Sequence, residues 1–287
     1  DRRSAIIWYR RAVNAGDGTA SMRATEQLAN LRARVALEMA EKFSRRLGRL
    51  RARTPRPKAR ELAKAQETLD AVITKARSET DAARALLEPI AAERPSLERL
   101  SLCGSAWKRR AMIERIAGDA SAEDRATSRM KTWYERAEKL ARERRDPLMY
   151  YPALNRMAAE LVVDAKKRTW GGFDRDALAA VRENLDTKTR DDPDFWSVAG
   201  RTELKLYEAL ARAALVADGG AIKAEYDDLW ARVRAFGDWD SVNVQLRFVL
   251  PKYVERTSAA ERAAATDLMG HVRRLAARAK RAATRPA

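Results

Sequence analysis

A single cysteine, Cys103, and a single histidine, His271, are all that 287 residues supply of either type. One cysteine excludes an intramolecular disulfide framework and any cysteine-rich metal centre. One histidine excludes zinc sites built from several histidines. A nucleophilic cysteine needs a base beside it, and the one histidine lies far along the chain, in its last helix. Glycine (12) and proline (9) are scarce, so the chain has few places to turn. No apolar run reaches the roughly 18 residues that a membrane-spanning helix needs. No basic-then-apolar leader opens the chain. Gly171-Gly172 and Gly219-Gly220 stand in no phosphate-loop pattern and follow no strand. Asp191, Asp192 and Asp194 are interrupted by Pro193 and lack the turn glycine and distal glutamate of a calcium loop. The expectation is therefore a chain without catalytic, cofactor or metal residues of its own, in a reducing cytoplasm.

What is present is helix. The composition is 46% hydrophobic, and Ala, Leu, Arg and Glu dominate, all good helix formers. Residues 3–15 read as a short helix with Ile6, Ile7, Tyr9 and Val13 available for burial. Thr19 or Ser21 can cap the next helix. Over 21–52, Leu28, Leu31, Val35, Met39, Phe43, Leu47 and Leu50 recur every three or four residues and predict one long amphipathic helix. Thr54-Pro55-Arg56-Pro57 breaks it, and 58–88 is again long and periodic. A short break between two long helices predicts an antiparallel hairpin. Leu97–Leu161 reads as three helices with aromatics on their inner faces. Gly118 ends the first, and Ser121 is expected to cap the second. Asp174 can cap a helix to about 187, and the 191–194 acids open the next. Gly219-Gly220 is expected to separate 195–217 from 221–236, and Pro251 to stop the helix that follows Gly237. The segments group as 1–95, 96–170 and 171–287. The chain opens inside what reads as a helix, so a fragment of a longer protein is expected.

The formal net charge is +17. Nucleic acid, an anionic membrane face or an acidic protein would each answer to it. The Arg and Ala bias is also what a GC-rich bacterial genome produces. Charge is densest at the hairpin tip, where Lys42 to Arg60 carries nine Lys or Arg and no acid. Arg45, Arg46, Arg49, Arg51, Arg53, Arg56, Lys58 and Arg60 form this basic set. With no aromatics between the charges except Phe43, contact with nucleic acid would be to backbone phosphate. An acidic protein surface or solvent would serve as well.

Two segments echo one another, Trp8-Tyr9-Arg10-Arg11-Ala12 and Trp133-Tyr134-Glu135-Arg136-Ala137, and Tyr207-Glu208-Ala209-Leu210 repeats the end of the pattern. Helix pairs cannot bury both faces alone, so successive pairs stack, with Ala at the close approaches and aromatics filling gaps. With Glu26-Gln27-Leu28-Ala29-Asn30-Leu31, Leu102-Cys103-Gly104-Ser105-Ala106-Trp107-Lys108-Arg109 and Tyr150-Tyr151-Pro152-Ala153-Leu154-Asn155, the chain resembles tetratricopeptide-repeat arrays. It looks in particular like the degenerate repeat regions of bacterial conflict proteins, including those with CHAT-type caspase-like domains. The likeness covers most of 1–165 and departs from the ordinary repeat in the length of the hairpin helices. The resemblance implies an all-α solenoid whose repeats sense or hold a partner while a separate domain does the chemistry.

Two further clusters are binding candidates. Tyr150, Tyr151 and Asn155 could line a concave peptide groove, or serve as core and as a backbone hydrogen-bond partner. Trp107, Lys108, Arg109 and Arg110 set three cations beside an aromatic, either for an anionic ligand or simply with cationic stems lying across a core ring. The reading is an all-α solenoid of tetratricopeptide-like helix pairs with a long basic hairpin, working as a protein-binding scaffold or sensor. Its partner would be an acidic protein or an attached protease or effector domain, without a membrane. The alternative is a nucleic-acid-binding module acting through the hairpin.

Overall fold

Small residues at helical spacing decide how the longest helices meet. The computed structural model describes residues 2–16, 20–55 and 57–284, through which eleven helices run without a strand. The sequence-predicted Arg56, like Asp17, Gly18 and Thr19, lies outside the described residues. The chain divides into two compact units, Asp1–Ala137 and Glu138–Ala287. The all-α class and the stacked helix pairs of a tetratricopeptide-like solenoid are both present.

The first unit holds α1 (Arg2–Asn14), α2 (Met22–Arg51), α3 (Ala59–Glu93), α4 (Leu97–Ala117) and most of α5 (Ala120–Glu143). Ser21 caps α2 by accepting from the Ala24 N–H. Ala29, Ala33, Ala36 and Ala40 are at most 1% exposed. Their spacing of four, three and four residues draws one line along α2. On α3, Ala76 and Ala83 are also fully buried. Arg32–Glu79, Arg51–Gln66 and Arg53–Glu61 pairs fix the antiparallel register. The Leu31, Val35, Met39, Phe43 and Leu50 stripe is only half-buried. The seam is made of alanines because a methyl side chain lets two helix axes approach closely, and the large side chains then flank the contact.

Gly118 ends α4 in the left-handed conformation (φ 76°), donating to the Arg115 and Glu114 carbonyls. Asp119, rather than the expected Ser121, then caps α5 by accepting from the Ala122 N–H at 2.9 Å. Gly104 accommodates the buried Tyr134 ring, since a Cβ there would stand 2.6 Å from the ring's Cε2. In α1 no residue is buried, and Ile7 and Trp8 are exposed.

The second unit holds the rest of α5 with α6 (Tyr150–Val163), α7 (Arg175–Asp191), α8 (Phe195–Arg212), α9 (Leu215–Arg232), α10 (Phe236–Val254) and α11 (Ala259–Thr284). Asp174 caps α7, and Asp194 with Ser197 forms a reciprocal capping box on α8. Gly200 lets α8 approach Leu185 of α7 and Leu154 of α6. Trp239 is fully buried, edge-on to Phe195 and Tyr226. Two expected breaks move. Gly219 and Gly220 lie inside α9, and the turn comes earlier, at Ala213 in the left-handed region (φ 51°). Pro251 lies inside α10, which continues to Val254. Pro89 likewise lies inside α3, which runs past the expected end at 88 to Glu93. Each proline removes one N–H and crowds the carbonyl four residues back, yet its helix runs on for three or four residues beyond it.

Candidate functional site

Trp107 gathers its partners from α3 rather than from its own neighbours. Its Nε1 donates to Glu88 Oε1 at 2.9 Å, and the Arg84 guanidinium lies 3.9 Å from the ring centroid. Arg84 also pairs with Asp81 at 3.0 Å. One turn below Trp107, Arg110 reaches Asp81 at 2.6 Å and Glu114. Glu114 is 1% exposed and accepts from both Arg77 and Arg110. Burial pushes its carboxyl up, but the hydrogen bonds and charges of the two arginines outweigh that and leave it below the usual carboxylate range.

These side chains form one wall of a groove of about 700 Å³ in the first unit. The other wall is α5, with Ser128, Thr132, Arg125 and Arg129. The Ser128 and Thr132 hydroxyls donate to carbonyls of their own helix, Asp124 and Ser128. Arg125 contacts Ser121 Oγ. Arg129 is exposed and has no partner among the described residues. The groove thus offers an aromatic edge, a fixed Arg–carboxylate lattice and a free guanidinium.

Lys108 and Arg109 do not line this groove; Arg109 donates to Ser105 Oγ at 2.7 Å on its own helix. Of the cations the sequence set beside Trp107, Arg110 does line the groove, while Arg84 and Arg129 were missed. The signal was the Arg77, Asp81, Arg84, Glu88 series at three- and four-residue spacing, which sets alternating charges on one face of α3.

The other cluster divides. Tyr150 is 2% exposed, its N–H donates to Asn184 Oδ1, and burial raises its phenol above the ordinary range. Tyr151 is 40% exposed. Asn155 is buried and donates to the Tyr151 carbonyl at 2.9 Å, one turn back on its own helix. Of the three, Tyr151 is the side chain presented outward.

On the hairpin, Arg45 pairs with Glu41 at 3.3 Å, Arg51 with Gln66 at 2.9 Å and Arg53 with Glu61 at 4.0 Å. Arg46, Arg49, Lys58 and Arg60 are exposed and have no partner among the described residues.

Cys103 is fully buried, and its thiol is pushed up to about 12, by burial first and by the Glu88 charge second. His271 sits 3.0 Å from Asp227. Asp191, Asp192 and Asp194 go to Arg190, Lys188 and the α8 cap. Among the described residues no group of three His, Cys, Asp or Glu is placed to hold a metal, and no helix is long and apolar enough to cross a membrane.

Comparison with curated proteins gives no match, and comparison with solved structures gives none. Stacked helix pairs of this type form protein-interaction scaffolds. A family model described as Tetratricopeptide Repeats-Sensor matches residues 1–162, more than half of the 287, and the chain belongs to that family.

Proposed function

We propose that the chain is the recognition module of a larger bacterial protein, one that senses or holds a protein partner for a catalytic domain elsewhere. The observation that carries this is the α3–α4–α5 groove, which lies within the family-matched residues and offers Trp107 with the free Arg129. Unpaired guanidinium beside an aromatic edge suits an acidic, extended segment, whose carboxylates Arg grips in two-pronged fashion. Arg110 and Glu114 hold the wall rigid, so binding there does not have to order it first. An attached protease or effector of the kind found in bacterial defence proteins would read the occupied groove. The cell compartment of this reading is the cytoplasm. In the three-part organisation 1–95, 96–170 and 171–287, the middle segment carries most of the reading surface.

The test compares capture by the native chain with capture by Arg125→Glu/Arg129→Glu from lysate of the source cell, with nuclease added. One protein retained in stoichiometric amount by the native chain and lost by the variant supports the reading. The same protein on both baits, or only nuclease-sensitive material on the native one, overturns it.

A further inference from the structure

The charge on the hairpin tip is not uniform once the ion pairs are known. Arg45, Arg51 and Arg53 are engaged within the hairpin. Lys42, Arg46 and Arg49 are all exposed, and none has a partner among the described residues. Their spacing of four and three residues places them on one face of α2, inside about 60° of arc and over about 10 Å of helix axis. That face lies opposite the buried Ala33, Ala36, Ala40 and Leu47.

We propose that this outer face of α2 is a docking surface for the phosphate backbone of duplex nucleic acid, held by Lys42, Arg46 and Arg49. The charge complementarity is quantitative. A duplex strand carries one phosphate per roughly 3.4 Å of axis, so about three phosphates of one strand fall within the ~10 Å that the three cations span. Within that arc the three cations are the side chains presented, with no aromatic or aliphatic group between them to serve as the central anchor a protein contact needs; the apolar Met39, Phe43 and Leu50 beside them are half-buried. Contacts of this kind read no base, and the binding is independent of sequence. This surface is separate from the groove, and either assignment can fail without the other.

The test titrates a 30-base-pair DNA duplex into the whole chain at several salt concentrations. Each phosphate contact contributes about −0.9 to the slope of log K against log salt. K42Q/R46Q/R49Q should therefore flatten the slope by about 3 with the helical circular dichroism unchanged. R273Q/R274Q, which removes exposed cations from α11 instead, should leave the slope within about one unit of the native value. The single variant R49Q, expected to remove about one unit, carries the test should the triple variant unfold. Absence of saturable binding at 50 mM salt overturns the proposal. So does an unchanged slope in the hairpin variants, or an equal loss in the α11 variant. Tighter binding to polyglutamate or to anionic vesicles than to duplex also overturns it, in favour of an acidic protein or a membrane.

Discussion

Glu261 is expected to hold the second unit together from a distance in sequence. It is 6% exposed on α11. Its carboxylate accepts from the Leu215 N–H at 2.9 Å and the Val216 N–H at 3.0 Å, and from the Tyr253 hydroxyl. Leu215 and Val216 open α9, where the first N–H groups have no partner within their own helix. A side chain 46 residues away from Leu215 thus supplies the cap that Ala214 cannot. Hydrogen bonds to a charged acceptor contribute about 1.5–3 kcal/mol each, and an orphaned buried donor costs about 1–3 kcal/mol. Glu261→Gln keeps the shape but turns one acceptor into a donor facing a donor, so a loss of about 2–4 kcal/mol is expected. Glu261→Ala should lose about 3–5 kcal/mol. Urea denaturation followed by far-ultraviolet circular dichroism, with amide exchange at Leu215 and Val216, measures both. A Gln variant within about 0.5 kcal/mol of native, with both amides still protected, would refute the reasoning. The pH dependence has a defined sign. Burial raises the Glu261 carboxyl, but the Tyr253 hydroxyl and the two N–H groups outweigh it, leaving the folded value lowered. The stabilisation is complete above the unfolded carboxylate value of about 4.3 and fades as pH falls through the lower folded value. The Gln variant should lack that part of the acid limb.

Gly104→Ala places a methyl 2.6 Å from the Tyr134 ring, and the loss from overpacking should be about 1–3 kcal/mol in thermal or urea unfolding. Combining it with Tyr134→Leu should recover part of that loss; strictly additive losses would show that the two do not touch. Glu114→Gln leaves Arg77 and Arg110 facing a neutral amide, and should cost about 2–4 kcal/mol. Arg110→Lys, read in the same assay, should cost less than Glu114→Gln, because Asp81 and Glu114 keep a cation. Cys103 should react with a maleimide at least about a hundredfold more slowly in the native chain than in urea, because it is buried and its thiol stays protonated.

The positions of helix ends were legible where a single side chain decides them. Ser21, Asp174 and Asp194 each accept from an N–H three residues on, as their types and positions suggest. Gly118 ends its helix for the equally local reason that it tolerates positive φ. Gly219 and Gly220 misled because a glycine pair weakens a helix only by about 1 kcal/mol per residue. The packing of α9 on α8 and α11 overrides that preference. Ala76 and Ala83 belong to the periodic stripe of α3, but the line Ala29, Ala33, Ala36 and Ala40 on α2 was overlooked because large apolar residues dominate any reading of periodicity. Trp107 was picked out, yet its working partners, Arg84 and Glu88, come from another helix. Which face of α3 meets α4 depends on the register of the hairpin, and no local pattern in α4 contains it.

The buried alanines make the hairpin stiff. Two helices touching along a line of methyl groups have little room to slide or bend, since any shift opens a void or forces a clash along several contacts at once. From Arg49 near the tip to Glu26 near the base is about 35 Å at 1.5 Å per residue. At the base, Glu26 is ion-paired to Arg99 of α4 at 2.6 Å. The base of the hairpin is thus tied by a charged side chain to α4, the helix that carries Trp107.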